Sequence, residues 1–256
     1  MVKCWASIIG GCSTKLSREH YVSQGLWAGQ KLIVVSGFEW LKGEEKTIPL
    51  KELTANILCT NHNTLLSPLD SEAVRFVKTL VELERVLTAR WKSRQKSFLN
   101  IRRADVNGTL FERWAVKTII GCSCVDHKHK RWHQTQKTIR DPPGEIVRAV
   151  YGLSGFREPM GLYFAHDQED RNFFRNGISV ETLFHPEGGL VGALLRFRGF
   201  RFLVWLTKES PESLDIRDSE GTPFDLQPFQ PKGTFRPHSY HFRFGKALSH
   251  VLKFEW

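Results

Sequence analysis

Four residues near the start of the chain carry the chemistry of zinc ligands: Cys4 and Cys12, then Cys59 and His62 in the run Cys59-Thr60-Asn61-His62. Thiolates and a neutral imidazole are the donors of closed, four-coordinate zinc sites, and two ligand pairs about fifty residues apart, each on a turn, suit one tetrahedral structural ion. Such an ion would staple a segment with too little core to fold alone. Cys59 and His62 have the usual spacing. The seven residues between Cys4 and Cys12 make a long gap, so Cys4 is the weakest member of the set. By spacing alone, buried thiols beside a surface histidine explain the same residues equally well. A second group, Cys122, Cys124, His127, His129 and His133, is dense, but a Cys-x-Cys pair is cramped around one ion. A buried helix end running into a basic loop is the better account of it. The five cysteines are too sparse for a disulfide scaffold.

The residues that follow each ligand pair add a second chemistry. After Cys12 comes Leu16-Ser17-Arg18-Glu19-His20, and after His62 comes Asn63 with Leu65-Leu66-Ser67-Pro68-Leu69-Asp70. Leu-Ser-x-Glu-His behind a cysteine, with Cys-x-x-His-Asn farther on, resembles the HNH family, the ββα-metal or His-Me finger nucleases. It is most similar to the zinc-containing endonuclease VII branch. The resemblance spans residues 4–75 and leaves the rest of the chain uncovered.

That resemblance implies a role for each residue. His20 would be the general base that takes a proton from the attacking water. Glu19 and Asn63 would hold one divalent ion, magnesium or another, through oxygen. Cys4, Cys12, Cys59 and His62 would hold the structural zinc. The chemistry agrees independently: phosphodiester hydrolysis needs an activated water and neutralisation of an anionic transition state, and imidazole accepts protons near neutral pH. Two departures stand out. The asparagine that orients the catalytic histidine in many members has only Asn56 and Asn61 as candidates, neither at the usual position, so a backbone carbonyl is an alternative partner for His20. The proline that often follows the histidine is replaced by Tyr21-Val22-Ser23. Asp70 could cap a helix or support the metal site, and the cap is the preferred reading.

Charge points to an anionic partner. The net charge is +10. Residues 1–75 hold 8 Lys and Arg against 7 Asp and Glu, residues 76–148 hold 16 against 7, and residues 149–256 hold 13 against 13. The excess sits in the middle segment, the footprint of a nucleic-acid contact surface. Arg90, Lys92, Arg94 and Lys96 form one basic run, and Lys128, Lys130 and Arg131 a second beside Trp132. Basic residues with an interleaved aromatic suit phosphate contact and base stacking. Arg196, Arg198 and Arg201 are read as a solvated hairpin.

Holding these residues in place requires a small set of elements. Lys31–Val35 and Ala55–Cys59 read as strands. Val74, Val77 and Val81 recur at helical spacing, predicting a helix from about 71 to 94 with Asp70 or Ser71 as its N-cap. Asp105-Val106-Asn107-Gly108 reads as a turn, Leu110–Ile120 as a second helix with Phe111, Trp114, Ala115 and Thr118 on one face, and 121–144 as a loop. Strands follow over Gly161–Phe164, Val180–Phe184, Leu190–Phe197 and Phe200–Leu206, the last two joined through Arg198-Gly199.

The expected fold is therefore α+β, in three parts. Residues 1–75 form a zinc-stabilised ββα-metal module, 76–148 a basic helical segment and loop, and 149–256 a C-terminal α+β domain with a mainly antiparallel sheet. No stretch approaches the length of a membrane span, and no leader is recognised, so a cytoplasmic protein is expected. The expected activity is metal-dependent cleavage of double-stranded DNA, which could serve against foreign DNA, with a protein partner for the C-terminal domain. The alternative is a non-catalytic, zinc-stabilised protein that binds nucleic acid or a partner.

Overall fold

Alternating and continuous apolar runs set the strands, and 3.6-residue apolar periods set the helices. The computed structural model describes residues 4–27, 29–93, 102–125, 132–134, 137–139, 141–164, 177–187, 189–218, 221–224, 239–244 and 247–256. The N-terminal part holds strands β1 (Leu16–His20), β2 (Leu32–Ser36), β3 (Lys46–Pro49) and β4 (Thr54–Cys59). Helices α1 (Thr60–Leu65) and α2 (Ser67–Ser93) follow, then β5 (Arg102–Asn107) and α3 (Gly108–Val125). Short strands β6 (Trp132–Gln134) and β7 (Lys137–Ile139) precede α4 (Gly144–Val150). The remainder is β8 (Gly161–Phe164), β9 (Gly177–Phe184), β10 (Leu190–Phe197), β11 (Phe200–Trp205), β12 (Ser239–Phe244) and β13 (Ala247–Glu255).

Three sheets are formed among the described residues. Strands β1 and β4 pair antiparallel, Leu16 opposite Cys59 and His20 opposite Thr54. The largest sheet runs β3-β2-β9-β10-β11-β8, with β6 and β7 joined to β10. It is mainly antiparallel, but β2 pairs with β9 in parallel, from Val34 opposite Gly177 to Ser36 opposite Ser179. The third sheet is β12-β13-β5, with β5 parallel to β13. The fold is thus mixed α+β, and strand pairing crosses both boundaries drawn from charge. Residues 32–49 complete a sheet begun after residue 149, and 102–107 pair with the last strand. Gly37 shows how closely these parts meet. Its φ is +73°, and a Cβ there would lie 2.8 Å from Ser179 Oγ and 2.9 Å from the Val180 carbonyl.

The larger of two apolar clusters among the described residues runs from Cys4 to Phe254. Helix α3 lies inside it, with Phe111, Glu112 and every residue from Trp114 to Ser123 buried, so the single apolar face expected for it is in fact a helix buried all round. Phe76 of α2 packs on Phe111 at 4.6 Å between ring centroids and also meets Phe197, Phe200, Phe202 and Phe254.

Several boundaries differ from the sequence expectation for identifiable reasons. The long helix begins at Ser67, not at 71, and neither Asp70 nor Ser71 caps it. Pro68 cannot donate to the Thr64 carbonyl one turn back, which breaks the helical run into α1 and α2. The Ser67 hydroxyl donates to that carbonyl instead, at 2.8 Å. Asp105-Val106-Asn107-Gly108 is not a turn but the end of β5 and the start of α3. The Asn107 Oδ1 accepts from Leu110 N at 3.0 Å, capping α3, while Asn107 N donates to Glu72 at 2.8 Å. The stretch 121–144 is not all loop: α3 continues to Val125, and β6 and β7 lie within it. At Arg198-Gly199 both residues have positive φ, 52° and 79°, the primed turn that matches strand twist.

Candidate active site and metal centre

The metal centre is built where β4 runs into α1. Cys59 ends the strand and precedes the helix, placing His62 one turn on. Cys4 and Cys12 approach from the N-terminal segment. The donor atoms of Cys4, Cys12, Cys59 and His62 all lie within 4.8 Å of one another, and these four residues can hold a metal ion such as zinc. The distances discriminate. His62 Nδ1 is 3.3 Å from Cys4 Sγ, 3.6 Å from Cys12 Sγ and 3.3 Å from Cys59 Sγ. A tetrahedral zinc with bonds of ~2.3 Å to sulfur and ~2.0 Å to nitrogen separates those atoms by ~3.5 Å. Cys4, the weakest member by spacing, is as well placed as the others. Burial pushes its thiol up to about 12. Burial acts the same way on Cys59, but hydrogen bonds from the His62 and Ser13 backbone, the Ser13 side chain and Cys4 together outweigh it and bring that thiol down to about 6.

The surrounding hydrogen bonds fix this knuckle. Thr60 N donates to the Lys15 carbonyl at 3.0 Å, and Asn61 Nδ2 donates to the Gly11 carbonyl at 2.7 Å. Asn61 therefore orients the Cys12 loop, not His20. Support also comes from far along the chain. Tyr151, just past α4, donates its hydroxyl to the His62 carbonyl at 3.1 Å and sets its ring edge-on to the imidazole at 5.4 Å. Trp5 packs on the same tyrosine at 5.8 Å.

Beside the knuckle, Glu19, His20 and Asn63 line one open cleft of about 320 Å³, together with Arg18, Ser23, Gln24, Thr64, Ser67 and Asp70. Glu19 and His20 end β1, where the register against β4 shifts between Ser17 and Glu19. Such a bulge re-aims side chains next to sites. Asn63 enters from α1, one residue beyond His62, and its side chain favours the ionised Glu19 carboxylate. Burial lowers the His20 pKa below its ordinary value, as do Arg18 and Lys117, while Asp70 raises it. The alternative of a backbone carbonyl is not met at Nδ1: His20 Nδ1 is buried without a hydrogen-bond partner among the described residues.

One residue of the site, Lys117, was missed from the sequence, and a second, Asp70, was given the other of its two roles. Lys117 of α3 is 2% exposed and donates to Glu19 Oε1 at 2.6 Å and to Asp70 Oδ1 and Oδ2 at 2.8 and 2.9 Å. Asp70, expected as a helix cap, instead faces the cleft and accepts from Lys117 and from the Ser23 hydroxyl. Trp114 Nε1 donates to the same hydroxyl at 2.8 Å. Burial pushes the Glu19 carboxyl up, and Lys117 and Asn63 hold it back. A signal for Lys117 existed in the sequence: it is the one charge between Trp114 and Val125, and a charge in a buried helix demands a partner. One turn on, Gly121 lets α3 approach, since a Cβ there would lie 2.6 Å from Tyr21 Cβ.

The residues expected at the nucleic-acid surface fall at or beyond the end of α2 and in the segment after α3. Arg90 and Lys92 fall on the last turn of α2, and Arg94, Lys96, Lys128, Lys130 and Arg131 lie outside the described residues. Cys122 and Cys124 sit on α3, the first buried in the core, while His127 and His129 also lie outside the described residues. Arg196 pairs with Glu181 at 3.6 Å, in keeping with a hairpin face. No helix among the described residues is long and apolar enough to cross a membrane.

No family model matches the chain, and neither a curated protein nor a solved structure matches it.

Proposed function

We propose that this chain is a metal-dependent endonuclease of the HNH type, hydrolysing DNA phosphodiester bonds. The observation that carries the reading is the meeting of Glu19, His20 and Asn63 on one open cleft beside the Cys4, Cys12, Cys59 and His62 cluster. In this reading the cluster holds zinc, and the zinc fixes both sides of the cleft: His20 lies eight residues after Cys12, and Asn63 directly follows His62.

The donor set of the cleft suits magnesium or a similar hard ion. Glu19 offers a carboxylate oxygen and the Asn63 amide, turned over, offers another. Such a sparse set leaves room for water and phosphate oxygens, which magnesium retains. When bound there, a divalent ion supplies charge neutralisation at the scissile phosphate. His20, whose neutral form burial favours, accepts the proton of the attacking water. Arg18 at the rim presents a cation to the backbone of the incoming strand.

The test is nicking of supercoiled plasmid in magnesium by the zinc-loaded protein and its His20→Ala variant. The parent is expected to cut, and His20→Ala to lose about 10²–10⁴-fold in rate while keeping its zinc and fold. Asn63→Ala is expected to cut slowly and to recover in part with excess magnesium, whereas His20→Ala does not. Equal rates for His20→Ala and parent would overturn the assignment.

A further inference from the structure

A lysine is an unusual neighbour for a cluster of carboxylates that could take a cation. Lys117 reaches it from inside the core, 2% exposed, and touches both carboxylates there, at 2.6 Å from Glu19 and 2.8 Å from Asp70. It does not line the cleft, so it acts on substrate only through the groups it holds. Buried ion pairs of this kind add little to stability compared with apolar packing of the same volume. Their worth lies in what charge they leave at the site.

The charge balance is informative. Glu19 and Asp70 carry one negative charge each and Lys117 one positive, leaving the trio at minus one. A divalent ion would take it to plus one, and a phosphodiester arriving with the ion would bring it to zero. Without Lys117 the two carboxylates alone would neutralise the ion, and a phosphate would then add unbalanced charge. Arg18 at the rim adds positive potential in the same direction as Lys117.

Resting on the reading of this cleft as a cation and phosphate site, we propose that Lys117 is a positioning residue that acts as a built-in counter-ion. It keeps the cleft's affinity for a divalent ion low until a nucleic-acid phosphate completes the site.

The experiment is manganese binding to the full, zinc-loaded chain, read from the electron-spin resonance of the free ion, first without DNA. Lys117→Met is expected to bind Mn²⁺ at least about tenfold more tightly than the parent, since one unit charge a few ångströms from a divalent ion is worth that much even in the dielectric of water. Asp70→Asn, which keeps the lysine and removes a carboxylate, is expected to move the affinity the other way. A second arm adds a double-stranded oligonucleotide in the His20→Ala background: DNA should tighten Mn²⁺ binding when Lys117 is present and lose that effect in Lys117→Met. A lysine with a purely structural role would destabilise the fold on removal without raising Mn²⁺ affinity. Lys117→Met binding no tighter than parent, or Asp70→Asn binding as tightly as parent, overturns the proposal. If Lys117→Met does not fold, Lys117→Gln, which removes the charge but leaves a donor for the two carboxylates, decides it by the same rise in Mn²⁺ affinity or its absence. If the parent cuts no DNA but these shifts appear, the counter-ion stands and the nuclease reading falls.

Discussion

Removing the metal from the Cys4, Cys12, Cys59 and His62 cluster should cost several kcal/mol, and the fold shows why. The ion would tie Cys12 to Cys59 across 46 intervening residues. Treated as a cross-link, closure of that loop alone is worth about 4 kcal/mol at 25 °C. The 4-to-12 loop adds less in practice, because Cys4, Trp5 and Ala6 are already buried in the core. The same core holds Tyr151 against the His62 carbonyl, so the chain should loosen locally and not unfold altogether. For a chain of this size, about 4 kcal/mol corresponds to a fall of roughly 8–16 °C in melting temperature. The assay is thermal unfolding of protein purified without added metal, before and after chelation and after return of zinc, with elemental analysis alongside. About one zinc per chain is expected, the stoichiometry of a single structural site. Cys59→Ser should reproduce the chelated melting point and should not respond to zinc. Well-folded protein that carries no zinc and melts at the same temperature with and without chelator would refute the reasoning.

Three further outcomes are expected. Phe76→Ala removes a ring that touches five other aromatic rings and should destabilise the protein by about 3–5 kcal/mol in denaturant unfolding; a loss under a third of that would mean the cluster is looser than its distances imply. Gly121→Val should push α3 off Tyr21, costing about 1–3 kcal/mol, and should slow cleavage by parting Lys117 from Glu19; unchanged stability in calorimetry would count against the 2.6 Å approach. Charge reversal at Arg90, Lys92, Arg94 and Lys96 should weaken DNA binding across all sequences and flatten its salt dependence. Binding isotherms identical to parent at several salt concentrations would assign that basic run to another task.

The zinc-type ligands and the residues expected to do chemistry were legible in the sequence because their spacing is local. Cys59 and His62 are three residues apart on one turn, and Glu19, His20 and Asn63 stand at fixed offsets from those ligands. Strands 32–36, 54–59, 190–197 and 200–205 were legible for the same reason, since apolar alternation and a two-residue turn are local signals. The sequence did not determine which distant segments share a sheet. Residues 32–49 look like part of a self-contained N-terminal module until β2 pairs in parallel with β9, more than 140 residues later, a partnership that no local pattern encodes. Nor could it determine where Asp70 points. As the residue before a helical period it reads as a cap, yet Pro68 moves the helix start upstream and leaves the carboxylate one turn inside, facing Lys117. Lys117 itself was visible as the lone charge in the apolar stretch from Trp114 to Val125. Its partners were not, because Glu19 and Asp70 lie 98 and 47 residues away and are brought to it only by the packing of α3 against β1 and α2. The chain thus fixes by itself which groups can do chemistry, whereas the charge that surrounds them is decided by long-range packing.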